Sequence, residues 1–154
     1  MIKKELVLGC DNAAVGLMTE LRMFLDQEGI SYTFIGVEST DDHTFYPLIA
    51  KKVAKKIIES GYTKDGILIC GTGIGMSIVA NKFPGIYAAL VTNIYSAERA
   101  RLSNNANVIC MGARTIAPEL AKKLLKEWLS LEYKVSRSQP KLDSIKKIEQ
   151  ENYK

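Results

Sequence analysis

Short apolar runs that alternate with helical patterns predict an α/β fold, a parallel sheet of about five strands with helices on both faces. Three observations carry this. The runs are four to six residues long and end in glycine, cysteine or a polar residue. Between them, apolar residues recur at helical spacing. At 154 residues and 47% hydrophobic composition, the chain can bury one sizeable core, so residues 1–154 are expected to form a single domain.

Glu5 to Gly9 reads as the first strand, and Cys10-Asp11-Asn12 leaves it. Leu17, Leu21, Phe24 and Leu25 mark the first helix, which Gly29 ends. Tyr32 to Val37 is the second strand, followed by a polar loop from Glu38 to Thr44 that holds His43, the only histidine. Tyr46-Pro47 opens the next helix, because proline suits the first helical turn. Leu48, Ile49, Val53, Ile57 and Ile58 form its buried stripe, and Gly61 closes it. Gly66 to Ile69 is a third, buried strand, and a helix starts beyond Gly75. Ile86 to Val91 is the fourth strand, Ser96 to Leu102 the core of a helix, and Val108 to Met111 the fifth strand. Leu120, Leu124, Trp128 and Leu131 mark a long helix starting near Pro118. The tail, residues 134–154, is polar with a weak stripe of Leu142, Ile145 and Ile148. It is too poor in apolar residues to stand alone, so a partner subunit is its expected docking surface.

The stretch Cys70-Gly-Thr72-Gly-Ile-Gly75 carries the chemistry. Glycine at alternate positions permits close approach and positive φ, so the backbone N–H groups of Gly71, Gly73 and Gly75 are expected to point into open space as an anion hole. A helix N-terminus there favours Cys70 as thiolate, which sets a nucleophile or base against that hole. A packed turn with a small buried cysteine is the bland alternative. Known loops do not fit: a phosphatase loop needs arginine where Met76 stands, Gly-Lys-Ser/Thr is absent, and the Gly-x-Gly-x-x-Gly fingerprint fails. Ligands of parallel sheets bind at the carboxyl ends of the strands, where Cys10, Cys70, Cys110, Asp11, Thr72 and Arg114 are all expected, so one cleft is open to all of them, although Cys10 and Cys110 suit packing better than chemistry. Asp11 has two readings, a helix cap or a carboxylate that holds a sugar hydroxyl or ring oxygen. Arg114 suits phosphate through its planar fork. Arg137 and Lys141, spaced i, i+4, are either a solvated basic face or a binding pair at the start of the last helix.

The net charge of +4, from 21 basic and 17 acidic residues interspersed, suits a small anionic ligand and gives no nucleic-acid stripe. No apolar run is long enough to cross a membrane and no signal peptide precedes the first strand, so a cytoplasmic protein is expected. Three cysteines without close pairing fit reduced thiols, and a zinc site would need all of them to converge on His43, so no metal is expected.

Gly9-Cys-Asp11, Tyr46-Pro47, Gly66 to Gly75, Ala80-Asn-Lys82, Ser96-Ala97, Asn107-Val108 and Gly112-x-Arg114 resemble the ribose-5-phosphate isomerase B and galactose-6-phosphate isomerase family, over nearly the whole chain. The resemblance implies a Rossmann-like α/β/α sandwich, a homodimer or dimer of dimers, that interconverts aldose and ketose phosphates without metal or cofactor. It makes Cys70 the base that moves a proton between C1 and C2, with the loop N–H groups stabilising the enediolate. Asp11 and Thr72 assist at the ring oxygen and hydroxyls, and Tyr46 lines the pocket. Asn104 reaches in from the facing subunit. Arg114, Arg137 and Lys141 stand at phosphate-ligand positions, Lys141 where the family has a second arginine. The chain departs from the family at Asn12, Ser103 and Ser138, each a histidine there, and Ser103 replaces the ring-opening one.

A four-carbon substrate that cannot cyclise, a paralogous subunit, or His43 would each answer that loss. Asn105 to Ile109 looks like the galactose-6-phosphate subunit type that lacks the same histidine. The rival functions are a non-catalytic sugar-phosphate-binding subunit and a nucleotide-binding module.

Overall fold

The computed structural model describes residues 4–153. Five strands, β1 (Leu6–Cys10), β2 (Tyr32–Phe34), β3 (Asp65–Cys70), β4 (Ala88–Leu90) and β5 (Val108–Gly112), pair in the order β2-β1-β3-β5-β4, all parallel. Six α-helices connect or follow them: α1 (Val15–Gln27), α2 (Tyr46–Glu59), α3 (Ile74–Ala80), α4 (Ile94–Leu102), α5 (Pro118–Ser130) and α6 (Gln139–Asn152). The result is a Rossmann-like three-layer α/β/α sandwich.

Alternation along the strands builds two cores. On β3, Ile67 and Ile69 face α1, α4 and α5, whereas Leu68 and Cys70 face α2 and α3. The first face is filled by Leu17, Leu21, Leu25, Leu124, Leu125 and Trp128, the second by Ile49, Val53, Ile57, Met76 and Ala80. Parallel strands covered on both sides are apolar throughout, which is why β1 and β3 read as continuous runs. Pro47 and Pro118 stand in the first turns of α2 and α5, and the Asn93 side chain caps α4 by accepting from Ser96 N–H at 2.8 Å.

Under the amino ends of the strands, Arg101 Nη2 meets Asp65 Oδ2 at 2.7 Å, and the Arg101 guanidinium lies 4.1 Å from the Trp128 ring centre. Both charges are buried.

Several expectations change. β2 is shorter than the Tyr32–Val37 run, although Ile35 and Val37 still donate to the carbonyls of Leu8 and Cys10 at 3.0 Å. The tail helix starts at Gln139, so Arg137 lies in the turn before it and not on its face with Lys141. That helix contacts its own chain: the Glu149 carboxylate accepts from Gly85 N–H at 2.9 Å and from the Tyr87 hydroxyl at 3.0 Å. Ile145 and Ile148 stay exposed. Among the described residues, no helix is long and apolar enough to cross a membrane.

Candidate active site

The strand order reverses between β1 and β3, because β1 leads to β2 on one side while β3 lies on the other. Such a switch point opens a crevice at the carboxyl ends of the strands. Asp11 and Asn12 enter it from β1, Cys70 and the loop to Gly75 from β3, and Gly112 to Arg114 from β5, whose last residue pairs with Cys70.

Cys70 ends β3 with its side chain on the α2–α3 face and 5% of its surface exposed. The Gly73 N–H donates to its Sγ at 3.1 Å. Of the three glycine N–H groups expected to point into open space, that one is directed at the sulfur. Gly73 has φ +76°, and a Cβ there would lie 2.8 Å from the Met111 carbonyl carbon, so only glycine fits. Ile74 N–H donates to Thr72 Oγ1 at 3.3 Å. The Tyr46 ring lies against Gly75, where any Cβ would collide with it, and the Arg114 guanidinium lies against Gly71. Backbone bonds from Ala113 to Cys70 and from Arg114 to Gly71, both 2.9 Å, tie the loop to the end of β5.

Asp11 does cap the short 3-10 turn Asn12–Ala14, accepting from Ala13 N–H at 3.1 Å. It also faces positive charge. Desolvation pushes its carboxyl above the usual range, while the Ala13 N–H and the Arg114 guanidinium pull it back. Beside it, Asn12 Nδ2 lies 3.1 Å from His43 Nδ1, which brings the only histidine to the mouth of the crevice. Cys10 and Cys110 do not join this crevice. They are fully buried in opposite cores, and burial raises both thiols, Cys10 to about 12. No group of three or more metal-ligating side chains forms among the described residues.

The remaining candidates gather at the opposite edge of the sheet. Ser103 and Asn104 follow α4, which runs back to the amino ends of the strands, and with Arg137 and Lys141 they line a cavity of about 580 Å³. The six residues of β3 alone separate the two edges by roughly 20 Å. Within one chain the candidates therefore form two clusters.

Residues 6–145 match the family described as Ribose/Galactose Isomerase. The chain belongs to the ribose/galactose isomerase family. It is 45% identical over 141 residues to the D-erythrulose-4-phosphate isomerase of Pectobacterium atrosepticum, with 92% of both chains covered. It is 44% identical over 148 residues to the ribose-5-P isomerase B of Listeria innocua, covering 96% of this chain and 99% of that one. The structure of Clostridium thermocellum ribose-5-phosphate isomerase B superposes with a TM-score of 0.90 at 34% identity, over 96% of this chain and 98% of that one.

Two features of this isomerase-family chain escape sequence reasoning. The Asn12–His43 contact joins segments 31 residues apart, which no local pattern encodes. Arg99, whose Nη1 donates to Ser103 Oγ at 3.2 Å, had a local signal in its i, i+4 spacing on α4.

Proposed function

We propose that this chain is a cofactor-independent sugar-phosphate isomerase of the ribose-5-phosphate isomerase B type, acting in the cytoplasm with Cys70 as the base. The observation that carries the reading is the junction of Cys70, Thr72, Asp11 and Arg114 at one switch-point crevice, inside a chain of this family. A proton on carbon next to a carbonyl is weakly acidic, so its removal needs a base in reach and donors for the oxygen that turns negative. Cys70 takes the proton from C2 of the aldose, the C1 oxygen takes up the charge, and the Cys70 thiol, open to exchange with solvent in the meantime, delivers a proton to C1. A second proton moves from the C2 hydroxyl to the C1 oxygen, a transfer that Asp11 and Thr72 are placed to assist. Loop N–H groups at Gly71 and Gly75 serve the developing oxyanion. Gly73 holds the sulfur.

Arg114 supplies positive charge within the crevice, and Arg137 and Lys141 belong on the substrate phosphate. Lying at the far edge of their own chain, they reach it from a second copy. A two-fold pair presents the amino edge of each chain to the carboxyl edge of the other, as a homodimer or within a dimer of dimers. Tyr46 and Asn12 line the wall on one side, Asn104 and Ser103 on the other.

A four-carbon substrate is favoured as the specific form of this reading by Ser103. Its hydroxyl is bonded to Arg99 and does not titrate near neutrality, so it opens no sugar ring. A tetrulose 4-phosphate has no free terminal hydroxyl with which to close a five-membered ring. The relative from Pectobacterium atrosepticum carries the name of such an isomerase.

The test is the purified chain assayed in D₂O on four-, five- and six-carbon sugar phosphates. Exchange of substrate C–H for deuterium is expected, greatest for the four-carbon substrate. Cys70→Ala should lower turnover by about 10²–10⁴-fold without unfolding the protein. Full activity in that variant sinks the mechanism.

A further inference from the structure

The last turn of α4 carries two arginines in unlike surroundings. Arg101 is taken up by the fold through its terminal nitrogens, with Nη2 on Asp65 at 2.7 Å, Nη1 on the Ala106 carbonyl at 2.9 Å and its plane over Trp128. Arg99 is not. Its Nη1 meets Ser103 Oγ at 3.2 Å and its Nη2 meets Glu98 Oε1 at 3.0 Å, while the Nε of both arginines is buried without a hydrogen-bond partner. The Glu98 pair joins adjacent residues, both about one-third exposed, and solvent screens it. A helix C-terminus favours a cation anywhere in its last turn, but that preference does not explain why the Arg99 guanidinium, paired only with partly exposed groups, lines a cavity.

The cavity of about 580 Å³ supplies the context. Arg99 lines it with Lys134, Arg137 and Lys141, so four cations meet one carboxylate there, that of Glu132. A neutral polyol needs no such excess of charge. A phosphate dianion does, and a guanidinium fork matches its oxygens. Ser103 holds that fork at the cavity wall.

We infer that Arg99 is a further phosphate-binding residue of this isomerase, acting beside Arg137 and Lys141, with Ser103 as the side chain that positions its guanidinium. This rests on the reading that the cavity takes the substrate phosphate. Because a guanidinium keeps its proton at all working pH values, the role is binding and not proton transfer.

Calorimetric titration of the whole protein with inorganic phosphate tests the inference separately from activity. Arg99→Gln should weaken phosphate by about tenfold or more and raise KM for the sugar phosphate by a similar factor, with a smaller change in kcat. Arg99→Lys, which keeps the charge and loses the fork, should fall between, and it serves if the glutamine variant does not fold. Arg137→Ala is measured in parallel. If it weakens phosphate while both Arg99 variants bind like wild type, the inference is overturned and the phosphate placement stands. If the wild type takes no phosphate, or none of the three substitutions changes its affinity, both are overturned.

Discussion

Gly112→Ala is a severe test of how the loop is held. A Cβ on Gly112 would lie 2.6 Å from both the Cα and the carbonyl carbon of Thr72, and 2.5 Å from Thr115 Oγ1. The threonine hydroxyl can rotate away, but the Thr72 backbone cannot. Carbon atoms pack best at about 3.5–4.0 Å, so the loop must retreat by about 1 Å. That motion pulls on the two 2.9 Å bonds from Ala113 to Cys70 and from Arg114 to Gly71. Overpacking costs about 1–3 kcal/mol, and each strained hydrogen bond adds up to about 1 kcal/mol, giving about 3 kcal/mol in all. Against a typical stability of about 5–15 kcal/mol the variant still folds at room temperature. Catalysis suffers more, because a 1 Å misplacement of positioning groups costs about 10²-fold. Urea unfolding gives the first number, and kcat/KM on the best sugar phosphate gives the second. A variant within about 1 kcal/mol and threefold of wild type would refute the claim that β5 holds the loop by contact with Thr72.

Asp65→Asn should destabilise the protein by about 3–5 kcal/mol in urea unfolding, because it leaves the Arg101 charge buried without a counterion, and its activity per folded molecule should persist. Replacing the pair together, as Asp65→Leu with Arg101→Met, should recover much of that loss. At high pH, burial foremost and the Glu149 carboxylate next hold the Tyr87 hydroxyl up at about 12. Between about pH 10 and that value the unfolded chain releases this proton and the folded chain keeps it, so stability falls as pH rises. Tyr87→Phe should be less stable near neutrality, having lost the bond to Glu149, yet lose less stability across that window; parallel slopes in urea midpoints would contradict the assignment.

The β3 run and its glycine loop were legible because their signals are local. Leu68 and Ile69 repeat within one strand, and Gly71, Gly73 and Gly75 stand at fixed offsets from Cys70. The strand order was not legible, since it depends on pairing between segments far apart, such as Gly66 with Val108. Cys10 and Cys110, though placed near strand ends, read as packing residues more than chemical ones, and strand alternation does turn them into opposite cores. At the tail, Leu142 of the apolar stripe is buried within the chain and Ile145 and Ile148 stay exposed, while the hydrogen bonds to Gly85 and Tyr87 come from Glu149, a polar residue invisible to hydrophobic patterning. Arg99 was overlooked because an arginine in the last turn of a helix already has a sufficient explanation in the helix dipole.

Placing Cys70 and Arg137 at opposite edges of one sheet makes inheritance of the site a property of pairs. On the proposed reading each chain owns two unlike half-sites and neither is useful to its owner. Two damaged alleles, one broken at the Cys70 edge and one at the Arg137 edge, then behave as complements: a mixed pair of chains concentrates both defects in one site and leaves the other whole. A chain broken at both edges would instead spoil both sites of every pair it entered.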